Sequence, residues 1–395
     1  MSSPTAPTHD SPVRRLVPLV VAGGRTRWPD TVSLTGRVVI ISATVGQGHE
    51  GAARELARRL VARGVQVEVH DYLDALPAAA RRVLRDLYQP TVQYAPALFD
   101  TLFDGLEHDG VLRRTAELVC RWAETTVARW ARDADVVVTT YPLAGQTLGA
   151  LREQGRVTAP AVTYLTDPAA HATWCHPGVD HHLTVTEATA RDAERYGVRA
   201  RASGPLCARA FAAPDRSRSA VRAELGLPDD APVALISAGS LGMGSVPRTV
   251  RDLLANPRVR VVVLCGRNTT LSRRLGRLER VVALGWRDDV SALMGAADVL
   301  IHNAGGLSLT EALAAGLPAI TYRPIAGHGR ANAAILDRAG IAPWPRTAPE
   351  LATAVDEATN GRGTGRFWPR GADPAALVQG ILAARRTPGL ATGSR

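Results

Sequence analysis

Short, mostly apolar runs alternate with longer amphipathic stretches along this chain, and that alternation restricts its fold more than any single motif does. The runs are Val38–Ile41, Val65–Val69, Val136–Thr140, Val162–Leu165, Val233–Ile236, Val259–Leu264, Val299–Ile301 and Ala319–Tyr322. Runs of this length read as buried strands, and the amphipathic segments between them as helices laid over the sheets. The expected class is α/β with parallel sheets. At 395 residues the chain has room for about two domains, each with a sizeable core, and two doubly wound domains are the simplest arrangement.

Composition marks the boundaries. Residues 1–36 are rich in Ser, Pro, Thr and Arg and read as a disordered tail. A first domain is expected over 37–205 and a second over 206–365, with Ala212–Ser217 as a surface connection. Residues 366–395 hold a closing helix, Pro374–Arg386, placed to fold back on the first domain.

All 47 basic residues are arginine, against 37 acidic ones, for a formal charge of +10. Codon usage in a GC-rich genome accounts for this, and so does a surface that attracts anionic lipid head groups or nucleic acid. No zinc-finger spacing, aromatic RNA-binding motif or basic zipper is present, so nucleic acid is not an expected partner. The four cysteines, Cys120, Cys175, Cys207 and Cys265, lie far apart with no CxxC pair, which suits a reducing cytosol. The apolar run Leu16–Ala22 is broken by Pro18, too short to span a bilayer and without a convincing cleavage site. The expected location is cytoplasmic, with a peripheral seat on the inner face of the cell membrane left open.

The stretch from Val281 to Pro324 reads as two strands, a short helix, a glycine turn at Gly305-Gly306 and a further helix bearing Glu311. Glycines there let the backbone approach a ligand, and the amides of the next helix face whatever sits at the strand's C-terminal edge; a diphosphate suits that position. Glu311 lies on a mostly apolar segment. It reads either as a solvated acid favoured by the helix dipole or as an acceptor for a pair of ribose hydroxyls.

After the first strand, Gly46, Gly48 and Gly51 satisfy G-x-G-x-x-G, and Asp71 stands twenty residues after Gly51. This suggests dinucleotide binding, but several residues separate the strand from the first glycine, which makes a longer loop than that fingerprint has. His49 sits where this loop meets a helix. It reads as a capping or packing histidine, or as a neutral base aimed at a cleft with its pKa lowered by the helix dipole.

Four segments together carry a resemblance. They are Ser42-x-x-x-Gly46-x-Gly48-His49; Thr166-Asp167 followed by His171, Trp174 and Val179-Asp180; Ala238 to Gly244; and Cys265-Gly266-Arg267-Asn268 through Gly285-Trp286 to Asn303-Ala304-Gly305-Gly306, Glu311 and Gly316-Leu317-Pro318. In this order the chain resembles the GT-B glycosyltransferases of the monogalactosyldiacylglycerol synthase and diacylglycerol glucosyltransferase family. The peptidoglycan lipid-precursor N-acetylglucosaminyltransferases are more distantly similar. The resemblance implies two Rossmann-like domains facing a cleft and inverting transfer of a hexose from a UDP-sugar, with no metal or other cofactor. A diacylglycerol-type or other membrane lipid would accept the sugar at an anionic membrane surface.

By the same resemblance Glu311 grips the ribose and the backbone at Trp286-Arg287 reads the base. Ser240, Gly242, Met243, Asn303, Gly305, Gly306, Leu307 and Ser308 surround the diphosphate, with Arg267 and Asn268 lining the cleft. Gly327 and His328 approach the donor sugar. The plant enzymes carry glutamine-glutamate chemistry near His328, so the departure there leaves the sugar open. Catalysis falls to His49, with Asp167 as an alternative base or as the partner orienting it. Gly46, Gly48, His171, Trp174, Tyr88 and Phe99 are implied on the acceptor side. Between Pro77 and Leu106 arginines alternate with apolar residues, which suits either a face resting on lipid or a cover for the sheet. His171, Cys175, His176, His181 and His182 cluster, but in no standard zinc spacing. Other readings remain: a GT-B tailoring transferase or nucleotide-sugar epimerase acting on a soluble metabolite, a nucleotide-sugar sensor, and an NAD-dependent dehydrogenase.

Overall fold

A computed structural model describes residues 36–86, 90–91, 94–361 and 371–386. All but the last residue of the expected N-terminal tail lie outside that set, as does Tyr88. Eleven strands are described: β1 (Arg37–Ser42), β2 (Gln66–Asp71), β3 (Val136–Thr139), β4 (Ala161–Tyr164), β5 (His181–Thr184), β6 (Ala200–Ala202), β7 (Val233–Ser237), β8 (Arg260–Leu264), β9 (Val281–Leu284), β10 (Val299–His302) and β11 (Ala319–Thr321). They form two parallel sheets, ordered β2-β1-β3-β4-β5-β6 and β11-β10-β7-β8-β9. The expected α/β class with two doubly wound sheets is what the chain adopts.

The runs of the inner strands are almost wholly apolar because helices cover both faces of each sheet, while the edge strand β2 carries Gln66 and Glu68. Val38, Val39, Ile40 and Ile41 of β1 are all fully buried. The even pair packs on helix Gln47–Val61 and on Ala375, Val378 and Leu382 of the closing helix, while the odd pair packs on the opposite layer. Each such side chain contributes about 1.5–3 kcal/mol by leaving water. The closing helix Pro374–Arg386 thus packs against the first sheet after the chain has completed the second. Asp373 fixes its start through ion pairs to Arg59 of helix Gln47–Val61 and to Arg63 in the turn that follows it.

The stretch from Val281 to Pro324 holds three strands, β9, β10 and β11, rather than two. β5 and β6 also escape an apolar-run search. β5 begins with two histidines and β6 has only three residues, so neither carries enough apolar signal.

Strand order places the binding crevices. In an open parallel sheet, loops diverge and leave a crevice at the C-terminal edge where the order reverses. In the second sheet that point lies between β7 and β10, beneath the loops that start at Ala238 and Asn303. In the first it lies between β1 and β3, beneath the loop that leads to His49 and the one that starts at Thr140.

Candidate active site

The second sheet's crevice is walled by three cross-linked loops. The Ser240 carbonyl accepts from the Arg267 amide at 2.8 Å, and the Met243 carbonyl accepts from Asn303 Nδ2 at 2.8 Å. Gly266 makes the first contact possible: its φ is +56°, and a Cβ there would stand 2.2 Å from the Ser240 carbonyl oxygen. Asn268 caps the next helix through the Leu271 amide at 2.9 Å. Ser237 Oγ and Ser308 Oγ meet at 2.7 Å and tie β7 to the helix Leu307–Ala314. The family resemblance implied one cleft for Ser240, Gly242, Met243, Arg267, Asn268, Asn303 and Ser308; the fold shows the hydrogen bonds that link their loops.

That helix begins at Gly306 with no side-chain cap, and helix Gln47–Val61 of the first sheet begins at Gly46 in the same state. The two starts meet. A Cβ on Gly48 would lie 4.0 Å from the Leu307 amide nitrogen, and one on Gly51 would meet Leu307 Cδ2 at 2.8 Å. Two uncapped helix N-termini converging on one crevice, with Gly305 and Gly306 beside them, form a site suited to an anion.

Glu311 follows in the second turn of Leu307–Ala314. No described residue donates to its carboxylate, and burial pushes its pKa up to about 8. A solvated acid would keep its ordinary value, so this carboxyl sits in a desolvated place with its acceptor capacity unused among the described residues. At the rim, the guanidinium of Arg267 lies 4.9 Å from the centre of the Trp286 ring, which is half in solvent. Arg287 points its side chain away into ion pairs with Asp289 and Glu224, leaving only its backbone to this edge.

Across the crevice, His49 is anchored by the first sheet's switch point. Its Nδ1 lies 2.7 Å from the Thr140 carbonyl and 3.2 Å from Thr166 Oγ1. A carbonyl only accepts, so Nδ1 carries the proton and Nε2 keeps its lone pair. Tyr141 and Trp174 flank the ring at 5.4 and 5.8 Å between centroids. Burial holds the imidazole below its ordinary pKa, with the Asp167 charge pulling it partly back. Burial is the leading cause, where the sequence reading invoked the helix dipole.

Asp167 accepts from Trp174 Nε1 at 3.0 Å and from Asn332 Nδ2 at 3.2 Å, and His171 Nε2 lies 3.8 Å away. Burial opposes its charge, but the close approach of His171 and the imidazoles of His328 and His49 outweigh that and hold its pKa well below the carboxylate range. So firmly ionised a group is a poor proton acceptor and a good stabiliser of a neighbouring cation.

Asn332 ends the segment Gly327–Asn332 that the resemblance places near the donor sugar, with no role of its own assigned to it. It is fully buried. Its Oδ1 accepts from the Ala169 amide at 2.9 Å, and its Nδ2 donates to Asp167 and, at 2.8 Å, to the Ala304 carbonyl. Both its N–H donors and its oxygen are engaged in joining the Asp167 loop to the Gly305 turn. In the sequence it is one asparagine in a helix, without a periodic or spacing signal.

His328 caps no sheet edge; it faces Phe99 and Phe103 at 6.1 and 6.2 Å between centroids, so Phe99 serves the segment at Gly327-His328 as well as its own domain. Beside this contact lies a cavity of about 690 Å³, lined among others by Phe103, Glu107, His171, Tyr196 and Ala331. The remaining histidines and Cys175 separate: His182 Nε2 accepts from the His176 amide at 3.4 Å, and burial pushes the Cys175 thiol up to about 12. Among the described residues no group of three or more His, Cys, Asp or Glu side chains is placed to hold a metal ion.

Asp71, which a dinucleotide site would present to a ribose, accepts instead from Thr44 Oγ1 at 2.7 Å and from the Leu73 amide at 3.0 Å. The first sheet's order also differs from the dinucleotide-binding one, in which the third strand is outermost.

Two facing doubly wound domains with a crevice between them define the GT-B architecture, shared by the glycosyltransferases to which the chain is similar. Residues 49–203 match the family model described as monogalactosyldiacylglycerol (MGDG) synthase, and 242–360 the one described as glycosyl transferases group 1. Within the class, the chain's likeness is to the monogalactosyldiacylglycerol synthase and diacylglycerol glucosyltransferase family. It is 26% identical over 322 residues to the processive diacylglycerol beta-glucosyltransferase of Bacillus subtilis, covering 78% of this chain and 82% of that one. The enzyme of the same name from Bacillus pumilus is 24% identical over the same shares. Among solved structures, Acinetobacter baumannii MurG superposes with a TM-score of 0.54 at 20% identity, over 89% of this chain and 100% of that one. Anabaena HepE, solved in complex with UDP-glucose, gives 0.55 at 16% identity over 88% and 99%.

Proposed function

We propose that the protein transfers a hexose from a UDP-sugar to a hydroxyl of a diacylglycerol-type lipid, with inversion at the anomeric carbon. The observation that carries this is the pairing of an unpartnered, half-buried Glu311 with a neutral His49 across one crevice. Glu311 accepts the ribose hydroxyls, the amides at Leu307 and Ser308 take the diphosphate, and Trp286 borders the base. His49 Nε2 removes the acceptor's hydroxyl proton as that oxygen bonds to the anomeric carbon from the face opposite the diphosphate. The bond from that carbon to the diphosphate oxygen breaks, and the charge left on UDP is met by helix N-termini and glycine-loop amides. Asp167 stabilises the imidazolium that forms on His49, and Asn332 keeps it in place.

The lipid acceptor is supported by the curated relatives and by one face of the first domain. Helices Ala78–Asp86 and Pro96–Glu107 bury none of their residues fully: Ala80 and Leu84 pack against the first sheet's core, while Val83 and Leu98 stand exposed. On Val111–Ala131, Val111, Leu118 and Trp122 are exposed and, seven and four residues apart, share one side. Arg114 and Arg121 stand beside them, exposed and without ion pairs among the described residues. An apolar stripe with arginines at its edge suits an anionic bilayer surface. No described helix is long and apolar enough to cross a membrane.

The direct test is incubation with radiolabelled UDP-glucose, UDP-galactose or UDP-N-acetylglucosamine and diacylglycerol micelles. Label in the lipid phase is expected; transfer to a soluble aglycone without any to lipid would replace the acceptor assignment, in favour of the tailoring reading. A double change, Leu118→Glu with Trp122→Glu, is expected to weaken co-sedimentation with phosphatidylglycerol vesicles by about tenfold or more, since two exposed apolar anchors are lost and two charges oppose the surface. Unchanged sedimentation would place the membrane face elsewhere.

A further inference from the structure

We propose that Asp100, on the first domain's helix Pro96–Glu107, is a positioning residue for the donor: it holds the second domain's 325–330 loop in the shape that receives the donor sugar. This rests on reading the second domain as the nucleotide-sugar domain.

Both carboxylate oxygens of Asp100 are committed across the domain boundary. Oδ1 accepts from the Gly327 amide at 2.5 Å, and Oδ2 from Arg330 Nη1 at 2.7 Å. These donors open the helix His328–Arg338, whose N-cap residue is Gly327 and which has no capping side chain of its own. A carboxylate from the opposite domain therefore supplies both the missing acceptor and the negative charge that a helix start favours.

The loop fits this helix in one way. Gly327 has φ +64° and ψ −118°, a conformation that glycine tolerates and side-chain-bearing residues resist. A Cβ there would meet Phe99 Cε1 at 2.7 Å and Phe103 Cβ at 3.0 Å. Phe99, Asp100 and Phe103 thus form a template for the turn, and the His328 ring is the next group along it. A glycine this permissive has many other conformations to relax into once the bond to Asp100 is gone.

The two contacts are unequal. The Arg330 side chain is 58% exposed, so its ion pair is screened and contributes little. The bond from the Gly327 amide to an ionised acceptor is the stronger constraint. Asp100→Asn, which still presents an oxygen to Gly327, should therefore behave nearly as the native chain, whereas Asp100→Ala should not.

The test is calorimetric titration of the full chain and both variants with UDP and with UDP-glucose, UDP-galactose and UDP-N-acetylglucosamine. In Asp100→Ala, affinity for the sugar nucleotide the native chain prefers is expected to fall about tenfold, the scale of one lost charge-assisted hydrogen bond, while UDP binding stays unchanged and Asp100→Asn recovers most of the loss. A purely structural role would not separate UDP from UDP-sugar. Equal weakening of both ligands, or of neither, overturns the proposal. Asp100→Ser, whose hydroxyl falls short of both donors, repeats the comparison should the alanine variant not fold. A native chain that binds none of the four nucleotides would remove the donor-domain reading itself, which is a different result from native binding with an unselective variant.

Discussion

Replacing His49 with alanine is expected to lower kcat by about 10²–10⁴-fold, the range for loss of a positioned general base, with UDP affinity close to native. The separation follows from where the ring is held. Its anchors are Thr140, Thr166, Tyr141 and Trp174, all in the first domain, while the donor wall is built from loops of the second. Because burial depresses the imidazole's pKa, the base is already neutral at pH 7. The acid limb of kcat should therefore fall below the ordinary histidine value of about 6.5 rather than at it. Initial rates across pH 5–8 for the native chain, with single-point rates for His49→Ala, check both statements. Turnover preserved in the variant would move the base to another group.

Glu311→Ala is expected to weaken UDP binding by about 10²-fold or more, because two ribose hydroxyls would lose an ionised acceptor in a buried site. Glu311→Gln, which keeps one acceptor oxygen, should fall between. The pH dependence has a definite sign. With the free carboxyl's pKa raised to about 8, most of the ligand-free protein carries a proton there at pH 7. Ribose hydroxyls donate best to the ionised form, so binding should release up to about one proton and strengthen by up to about tenfold per pH unit until pH 8. Titration in buffers of different ionisation enthalpy measures that release directly. In the absence of ligand the same group acts the other way. An acid whose folded pKa lies above its unfolded value of 4.5 favours the fold at low pH, and that contribution is lost as pH rises from 4.5 to about 8. Glu311→Gln should remove this part of the slope in thermal melts. Proton uptake, or affinity indifferent to pH, would show that Glu311 is not the ribose acceptor.

Much of this arrangement was legible in the chain. Fully apolar runs such as Val38–Ile41 and Val233–Ile236 announced strands covered on both faces, since only a parallel sheet between helix layers leaves no position for a polar residue. Glu311 stood out as an acid on an apolar helix after a glycine turn, and His49 as a base at a glycine-loop start. Their chemistry depends on residue type and local backbone, which sequence carries. β5 and β6 were hidden because two histidines and a three-residue length erase the apolar signature.

What sequence could not carry was the relation between distant segments. Asn332 lies 165 residues from Asp167 and Asp100 lies 227 from Gly327, and neither pair has a spacing rule, because the contacts arise only when two sheets are brought face to face. The same holds for protonation. Sequence supplied two acids with nothing to set their titration, and a histidine for which only a helix dipole could be invoked. Tertiary structure desolvated Glu311 without a donor and raised its pKa, ringed Asp167 with hydrogen bonds and imidazoles and lowered it, and aimed the proton of His49 at the Thr140 carbonyl. The residues proposed to do the chemistry were therefore determined by the sequence, and the charge each one carries by the fold, because charge depends on what surrounds a group rather than on its neighbours in the chain.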